Sequence, residues 1–73
     1  MILYLPDVIA DNMGMSRDDA RNLIDGGAVN LDGAPIGHGE YHASLLGDRQ
    51  HTLMVRMVKW MPIEIDLNIK KEL

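Results

Sequence analysis

The sequence has no cysteine and no phenylalanine, and its only aromatic residues are one tryptophan and two tyrosines. Without cysteine, disulfides and thiolate zinc sites are excluded. Without phenylalanine, the core must be built largely from isoleucine, leucine, valine and the six methionines. No apolar run approaches the roughly 18 residues of a membrane span, and no basic leader precedes Pro6. We therefore expect a cytoplasmic protein without a membrane segment.

Seventy-three residues suffice for one small domain, which we expect to span residues 1–73.

Positive charge is also scarce. The net charge is −4, and residues 1–48 carry two arginines against eight acidic residues, whereas residues 49–73 carry five basic residues against three acidic ones. Non-specific binders of nucleic acid are usually basic, because their affinity comes from neutralising phosphates. Any nucleic-acid contact must therefore depend on a local patch.

Two short helices are predicted in the first third of the chain. Pro6 suits a first helical turn, where its missing N–H needs no partner, and Asn12 or Gly14 can end that helix. Ser16 is a typical N-cap for the second helix, which Gly26–Gly27 ends. The apolar residues recur at helical spacing; they are Leu5, Val8 and Ile9 in the first helix and Ala20, Leu23 and Ile24 in the second.

Strands follow the helices. Residues 28–31 alternate and lead into Asp32–Gly33, a strong hairpin signal, with 34–36 as the return strand. Residues 37–50 contain three glycines and are predicted to form a long surface loop. Further strands are predicted at 52–59 and 63–69. This order predicts an α+β fold, with two short N-terminal helices packed on a small, mainly antiparallel sheet of three to five strands.

Residues 16–33 resemble a family signature without a gap. The signature is that of the S-four-like RNA-binding domain, or alpha-L motif, found in the fourth protein of the small ribosomal subunit and, in the form most similar to this chain, at the C-terminus of bacterial tyrosyl-tRNA synthetases. Asp19, Leu31 and Asp32 are conservative replacements. The identical positions are Ser16, Arg17, Ala20, Arg21, Leu23, Ile24, Gly27, Val29 and Gly33.

The resemblance implies a non-catalytic module that binds structured RNA, either transfer or ribosomal RNA, through the second helix and the following strand and turn. Arg17 and Arg21 lie four residues apart on one helical face, where the family carries RNA-contacting cations. Arg49 and Arg56 are further candidate cations. The complete set of candidate RNA-binding residues is Ser16, Arg17, Arg21, Gly27, Asn30, Asp32, Gly33, Arg49 and Arg56.

The chain departs from the family where charge matters. Relatives often carry arginine or lysine at the positions of Asn22, Asp25, Asn30 and Ala34. Asp25 also lies four residues after Arg21 and can neutralise it in a surface salt bridge. The helix can therefore present an ordinary solvated face of mixed charge. An alternative function is an acidic protein-interaction module on the same fold, or one that forms a homodimer through residues 53–69.

Metal-binding and catalytic patterns are weak. His38, Glu40, His42 and His51 are ligand types, but they fall in or beside a glycine-rich segment, and we expect exposed histidines rather than a metal site. No phosphate-binding loop of Walker type is present, and no Ser-His-Asp arrangement is evident. We therefore expect neither an enzyme nor a cofactor.

The segment 54–61 concentrates large apolar side chains, namely Met54, Met57, Trp60 and Met61. Such a stripe can fill the core, or it can form an exposed and adaptable binding surface. Lys70 and Lys71 are typical of a solubilising tail.

Overall fold

The computed structural model describes residues 1–45 and 49–66. The helices are α1 (Leu5–Met13) and α2 (Arg17–Asp25). The strands form two antiparallel sheets, one of two strands in the order β1-β4 and one of four in the order β3-β2-β5-β6. The predicted α+β fold is thus confirmed. The strands are β1 (Ile2–Tyr4), β2 (Val29–Leu31), β3 (Ala34–Pro35), β4 (His42–Ser44), β5 (Gln50–Arg56) and β6 (Trp60–Asp66).

Local signals set the helix ends where the sequence predicts them. Gly14 has a left-handed φ of 69°, and its N–H donates to the carbonyl of Ala10, which closes α1. The Oγ of Ser16 accepts a hydrogen bond of 3.0 Å from the N–H of Asp19, which caps α2. After α2, Asp32 and Gly33 have φ values of 51° and 86°, as a tight two-residue hairpin turn requires.

The core lies between the helices and one face of the four-stranded sheet. In β5 the residues alternate, so that His51, Leu53 and Val55 are buried while their neighbours are more exposed. Met13 and Met15 are partly buried against the core. The buried cluster consists of Leu5, Ile9, Ala20, Ile24, Val29, Ile36, Leu53, Val55 and Ile63.

The predicted loop at 37–50 contains a strand that the sequence pattern did not indicate. β4 pairs with β1, with Leu3 opposite Ala43. The N–H of Leu45 donates to the carbonyl of Met1, and that of Leu5 to the carbonyl of Tyr41. Each strand has only three residues and its partner is about 40 residues away in the chain, so neither a period of two nor a turn signal reveals the pairing.

The strand predicted at 52–59 is too long at its end. β5 stops at Arg56, and residues 57–59 form a turn in which the N–H of Met57 donates to the carbonyl of Lys59. β6 then begins before Pro62, because an edge strand tolerates proline. The predicted strand end at 67–69, the tail lysines Lys70 and Lys71, and Asp48 lie outside the described residues.

Candidate nucleic-acid interface

Arg17 and Arg21 lie on one side of α2, as their spacing predicts, and we call this side the arginine flank. Each arginine is paired with an aspartate. The Nε of Arg17 donates to Asp7 of α1 at 2.6 Å, and both side chains are about half exposed. Arg21 donates to the carboxylate of Asp18 and, at 2.9 Å, to the hydroxyl of Tyr4. The flank therefore holds two guanidinium groups beside α1 and β1, both neutralised by the protein itself.

These ion pairs are weak enough to be exchanged for a ligand. Exposed pairs contribute about 0.2–1 kcal/mol each, because water screens them and ordering the side chains costs entropy. A phosphate offers a guanidinium two oxygens in a matching geometry. A phosphate competing for Arg17 or Arg21 would therefore have to displace Asp7 or Asp18.

Tyr4 helps to fix the position of the Arg21 side chain. The hydrogen bond to the Tyr4 hydroxyl, with the negative charge of Asp18, raises the pKa of the Arg21 guanidinium. Tyr4 in turn contacts Tyr41 edge-on, with 6.3 Å between ring centroids, and the ring of His42 at 5.0 Å. Arg21 is thereby held at a defined place on the flank.

Asp25 does not pair with Arg21, contrary to the possibility that its spacing raised. Its carboxylate accepts hydrogen bonds from the N–H of Gly39 at 2.9 Å and from the hydroxyl of Tyr41 at 2.8 and 2.9 Å. The hydrogen bond from Gly39, followed by that from Tyr41, lowers the pKa of Asp25, and Asp25 in turn raises the pKa of the Tyr41 hydroxyl. Asp25 therefore anchors the segment 37–41 to α2.

The turn after β2 contains the next candidates, Asp32 and Gly33, and the carboxylate of the exposed Asp32 is bonded to residues of β5. Asp32 lies 2.5 Å from Nδ1 of His51 and accepts from the N–H of Thr52 at 2.9 Å. These two bonds, that with His51 being the stronger influence, lower the pKa of Asp32. Asp32 thus ties the turn to β5. Arg49 lies near Asp32 and contributes to the same lowering.

His51 is a correction to the sequence analysis. It is 4 % exposed, whereas an exposed histidine was expected, because β5 places position 51 on the core side together with Leu53 and Val55. His38 and His42 are exposed as expected. Within residues 1–45 and 49–66, no cluster of three or more side chains suited to hold a metal ion is present.

A third group of candidates lies on the sheet face opposite the core, which we call the outer face. Asn30 is paired in register with Met54, and Arg56 with Trp60. The N–H of Arg56 donates to the carbonyl of Ala28, which adjoins the candidate Gly27. Alternation along the strands places Asn30, Met54, Arg56 and Trp60 on this face.

Of the two alternatives for the methionine stripe, an exposed surface describes most of its members better than core filler does. Met57 and Trp60 are 44 % and 40 % exposed, and Met54 and Met61 are only partly buried. The hairpin turn at 57–59 joins the ends of β5 and β6, and Val58 is fully exposed there. Met54, Met57 and Trp60 therefore contribute to the surface, whereas Met61 lies on the core-side face with Ile63.

The nine candidate residues fall into three separate groups. Ser16, Arg17 and Arg21 are on α2 beside α1; Gly27, Asn30 and Arg56 are near the outer face; and Asp32, Gly33 and Arg49 are at the turn. Met57 lines a shallow depression with Asn22 and Leu23, so the β5–β6 turn and the arginine flank lie on opposite sides of α2. Arg49 directly precedes β5 and Arg56 ends it, so seven residue steps of about 3.3 Å separate them by about 23 Å.

Comparisons of the chain with protein-family models, with curated proteins and with solved structures found no match. In the part of the chain that the structure describes, neither helix has the length and apolarity needed to cross a membrane.

Proposed function

We propose that the protein is a small, non-catalytic RNA-binding module that contacts the phosphates of structured RNA through Arg17 and Arg21. The single observation that carries the proposal is the pair of guanidinium groups on one flank of α2, each paired with the carboxylate of a solvent-accessible aspartate. The resemblance of residues 16–33 to the S-four-like signature supports the same surface. Its two available cations predict modest affinity with a measurable but shallow dependence on salt.

The flank suits a phosphate backbone better than a base edge. Its donors are guanidinium groups, which bind phosphate oxygens in pairs, and Tyr4 orients one of them. Five aspartates on the same two helices oppose a broad polyanion contact; they are Asp7, Asp11, Asp18, Asp19 and Asp25. We therefore expect contact with one or two neighbouring phosphates rather than with a long stretch of backbone.

The test is charge reversal at the flank. We expect Arg17→Glu with Arg21→Glu to abolish binding to a folded RNA hairpin at about 50 mM salt, where electrostatic contacts are strongest. The matched control, Lys70→Glu with Lys71→Glu, changes the net charge equally but leaves the flank intact, and it should retain most of the binding. Equal loss in both variants, or no binding by the wild-type protein at this salt concentration, would refute the proposal.

A milder variant measures how many phosphates are contacted. The logarithm of the binding constant falls with the logarithm of salt concentration by about 0.7–0.9 for each neutralised phosphate. Arg17→Gln with Arg21→Gln should therefore reduce this slope by about 1.5. An unchanged slope would mean that other residues hold the phosphates.

A protein-interaction module remains the second candidate, because β6 lies at an edge of the four-stranded sheet and the adjoining turn exposes Met57 and Val58. An edge strand can pair with another chain. This candidate predicts a dimer in sedimentation velocity that persists in the Arg17→Glu, Arg21→Glu variant and weakens in Val58→Asp. A protein that stays monomeric at all accessible concentrations would count against it.

A further inference from the structure

The outer face has a flat patch at its end nearest the β5–β6 turn. Arg56 is directly opposite Trp60, and Met54 is directly opposite Pro62. These four side chains alternate with the buried Leu53, Val55 and Ile63, so they project away from the core. They form a continuous surface that is apolar at its centre and cationic at its rim.

The solvent exposure of Trp60 is unusual. It is the only tryptophan in the chain, yet 40 % of it is exposed while smaller aliphatic side chains fill the core. The guanidinium carbon of Arg56 lies over the Trp60 ring, 5.7 Å from its centre. The indole and the guanidinium above it are the two kinds of planar surface on which unpaired nucleic-acid bases stack.

Charge favours an anionic ligand at this end of the sheet. Residues 49–63 contain Arg49, Arg56 and Lys59 and no acidic residue, although the whole chain is acidic. The nearest acid along β6 is Glu64, which is bonded to Gln50 and Thr52 at 2.9 and 3.0 Å. Arg56 lies at the patch and the exposed Lys59 directly precedes Trp60 in the turn, so positive charge adjoins the indole.

A hydrogen-bonding group lies beside the same patch. Asn30 is the register partner of Met54, and its amide offers both a donor and an acceptor. Bases present both kinds of group along their edges, which a purely apolar partner does not. The combination of an exposed indole, two cations and an amide therefore fits a nucleotide better than it fits an aliphatic protein surface.

We propose that Trp60 and Arg56 bind one unpaired nucleotide of the RNA, with the base stacked on their planes and Lys59 contacting a flanking phosphate. This proposal rests on the function proposed above and adds a second contact, on the face of the four-stranded sheet turned away from α2 and from Arg17 and Arg21. The preferred RNA is then a stem with a bulged or terminal unpaired base, whose stem meets the arginine flank.

The single tryptophan makes the test direct, because tryptophan fluorescence, excited where tyrosine does not absorb, reports on Trp60 alone. The two probes are a fully paired RNA stem and the same stem with one bulged adenosine. We expect the bulged stem to quench Trp60 and to bind more tightly than the paired stem. Trp60→Leu should weaken binding to the bulged stem by roughly five- to 150-fold, the range measured for single stacked bases, and Trp60→Phe should retain most of it.

The controls separate this proposal from the one on which it rests. Circular dichroism checks that the Trp60 variants are folded, and the wild-type quenching needs no variant. Binding to both stems that depends on Arg17 and Arg21, without quenching and without a preference for the bulge, would overturn the nucleotide site and leave the RNA-binding function intact. If the bulged stem still quenches Trp60 in the Arg17→Glu, Arg21→Glu variant, this would support the nucleotide site and refute the proposed RNA contact at Arg17 and Arg21.

A third result would assign the patch to another occupant. A blue shift of Trp60 emission with rising protein concentration, in the absence of RNA, would mean that a second copy of the chain covers the indole. This result would overturn the nucleotide site, because the patch would then be buried in a dimer.

Discussion

The role of the ion pairs on α2 can be tested by substituting the two aspartates rather than the arginines. Replacing Asp7 and Asp18 by asparagine removes the carboxylates that bind Arg17 and Arg21 and leaves both guanidinium groups in place. If RNA binding must break these pairs, their removal spares that cost. We therefore expect Asp7→Asn with Asp18→Asn to bind RNA more tightly than the wild-type protein.

The magnitude follows from the exposure of the pairs. Each exposed pair is worth about 0.2–1 kcal/mol, so two pairs amount to about 0.4–2 kcal/mol. At 1.36 kcal/mol for each factor of ten, the dissociation constant should fall by about two- to 30-fold. The free energy of unfolding should fall by a similar amount, because the same pairs are lost from the folded protein.

The assay is fluorescence anisotropy of a labelled RNA hairpin at physiological salt, where the Debye length is about 8 Å and distant charges are screened. The matched control is Asp11→Asn with Asp19→Asn, which raises the net charge equally on the same helices but frees neither arginine. The control should change affinity much less. Equal tightening in both variants would show that only net charge matters, and an absence of tightening in the first would refute the role of the arginines.

Further outcomes follow from the fold. The pKa values of Asp25 and Asp32 are lowered in the folded protein, so their contribution to stability is complete above the unfolded pKa of about 4 and is lost as the pH falls through the folded values. In urea titrations, the free energy of unfolding of the Asp25→Asn and Asp32→Asn variants should therefore fall less steeply with decreasing pH in the acid range. An unaltered dependence on pH would contradict this. Leu53→Ala, at a fully buried position, should cost about 2–5 kcal/mol, whereas Val58→Ala should cost almost nothing in the same denaturation assay. Gly33→Ala should cost about 1–3 kcal/mol, because φ is 86° there while no neighbouring atom would meet the new methyl group; a cost within error of zero would show that the turn relaxes.

The segment from Ser16 to Gly33 was predictable because its signals are local. A capping serine, a helical apolar face, a terminating glycine pair and an Asp-Gly turn each act within a few residues. The structure places α2, β2 and the turn where these signals indicate. The spacing of Arg17 and Arg21 likewise places them on one flank.

The parts that were missed depend on contacts between distant residues. The partner of Asp25 is the N–H of Gly39, which only the path of the chain after β3 brings close. The burial of His51 follows from the start of β5 at Gln50, two residues before the predicted start. An alternating pattern that begins at the correct residue would have placed His51 beside Leu53 on the core side.

The exposure of Trp60 was undecided for the same reason. A stripe of methionine and tryptophan has the same composition in a core and on a surface, and only register separates the two. Pairing Arg56 with Trp60 fixes the turn at 57–59 and sends the indole to the outer face. The candidate cations are distributed by the same register, which keeps Arg49 and Arg56 at opposite ends of β5.

The most direct test of RNA binding at α2 is a titration of the isotope-labelled protein with an RNA hairpin, observed through the Nε–H resonances of the arginine side chains. We predict that the signals of Arg17 and Arg21 shift together and saturate as their partners change from Asp7 and Asp18 to phosphate. RNA that binds while both signals stay in place would contradict the assignment of this flank as the interface.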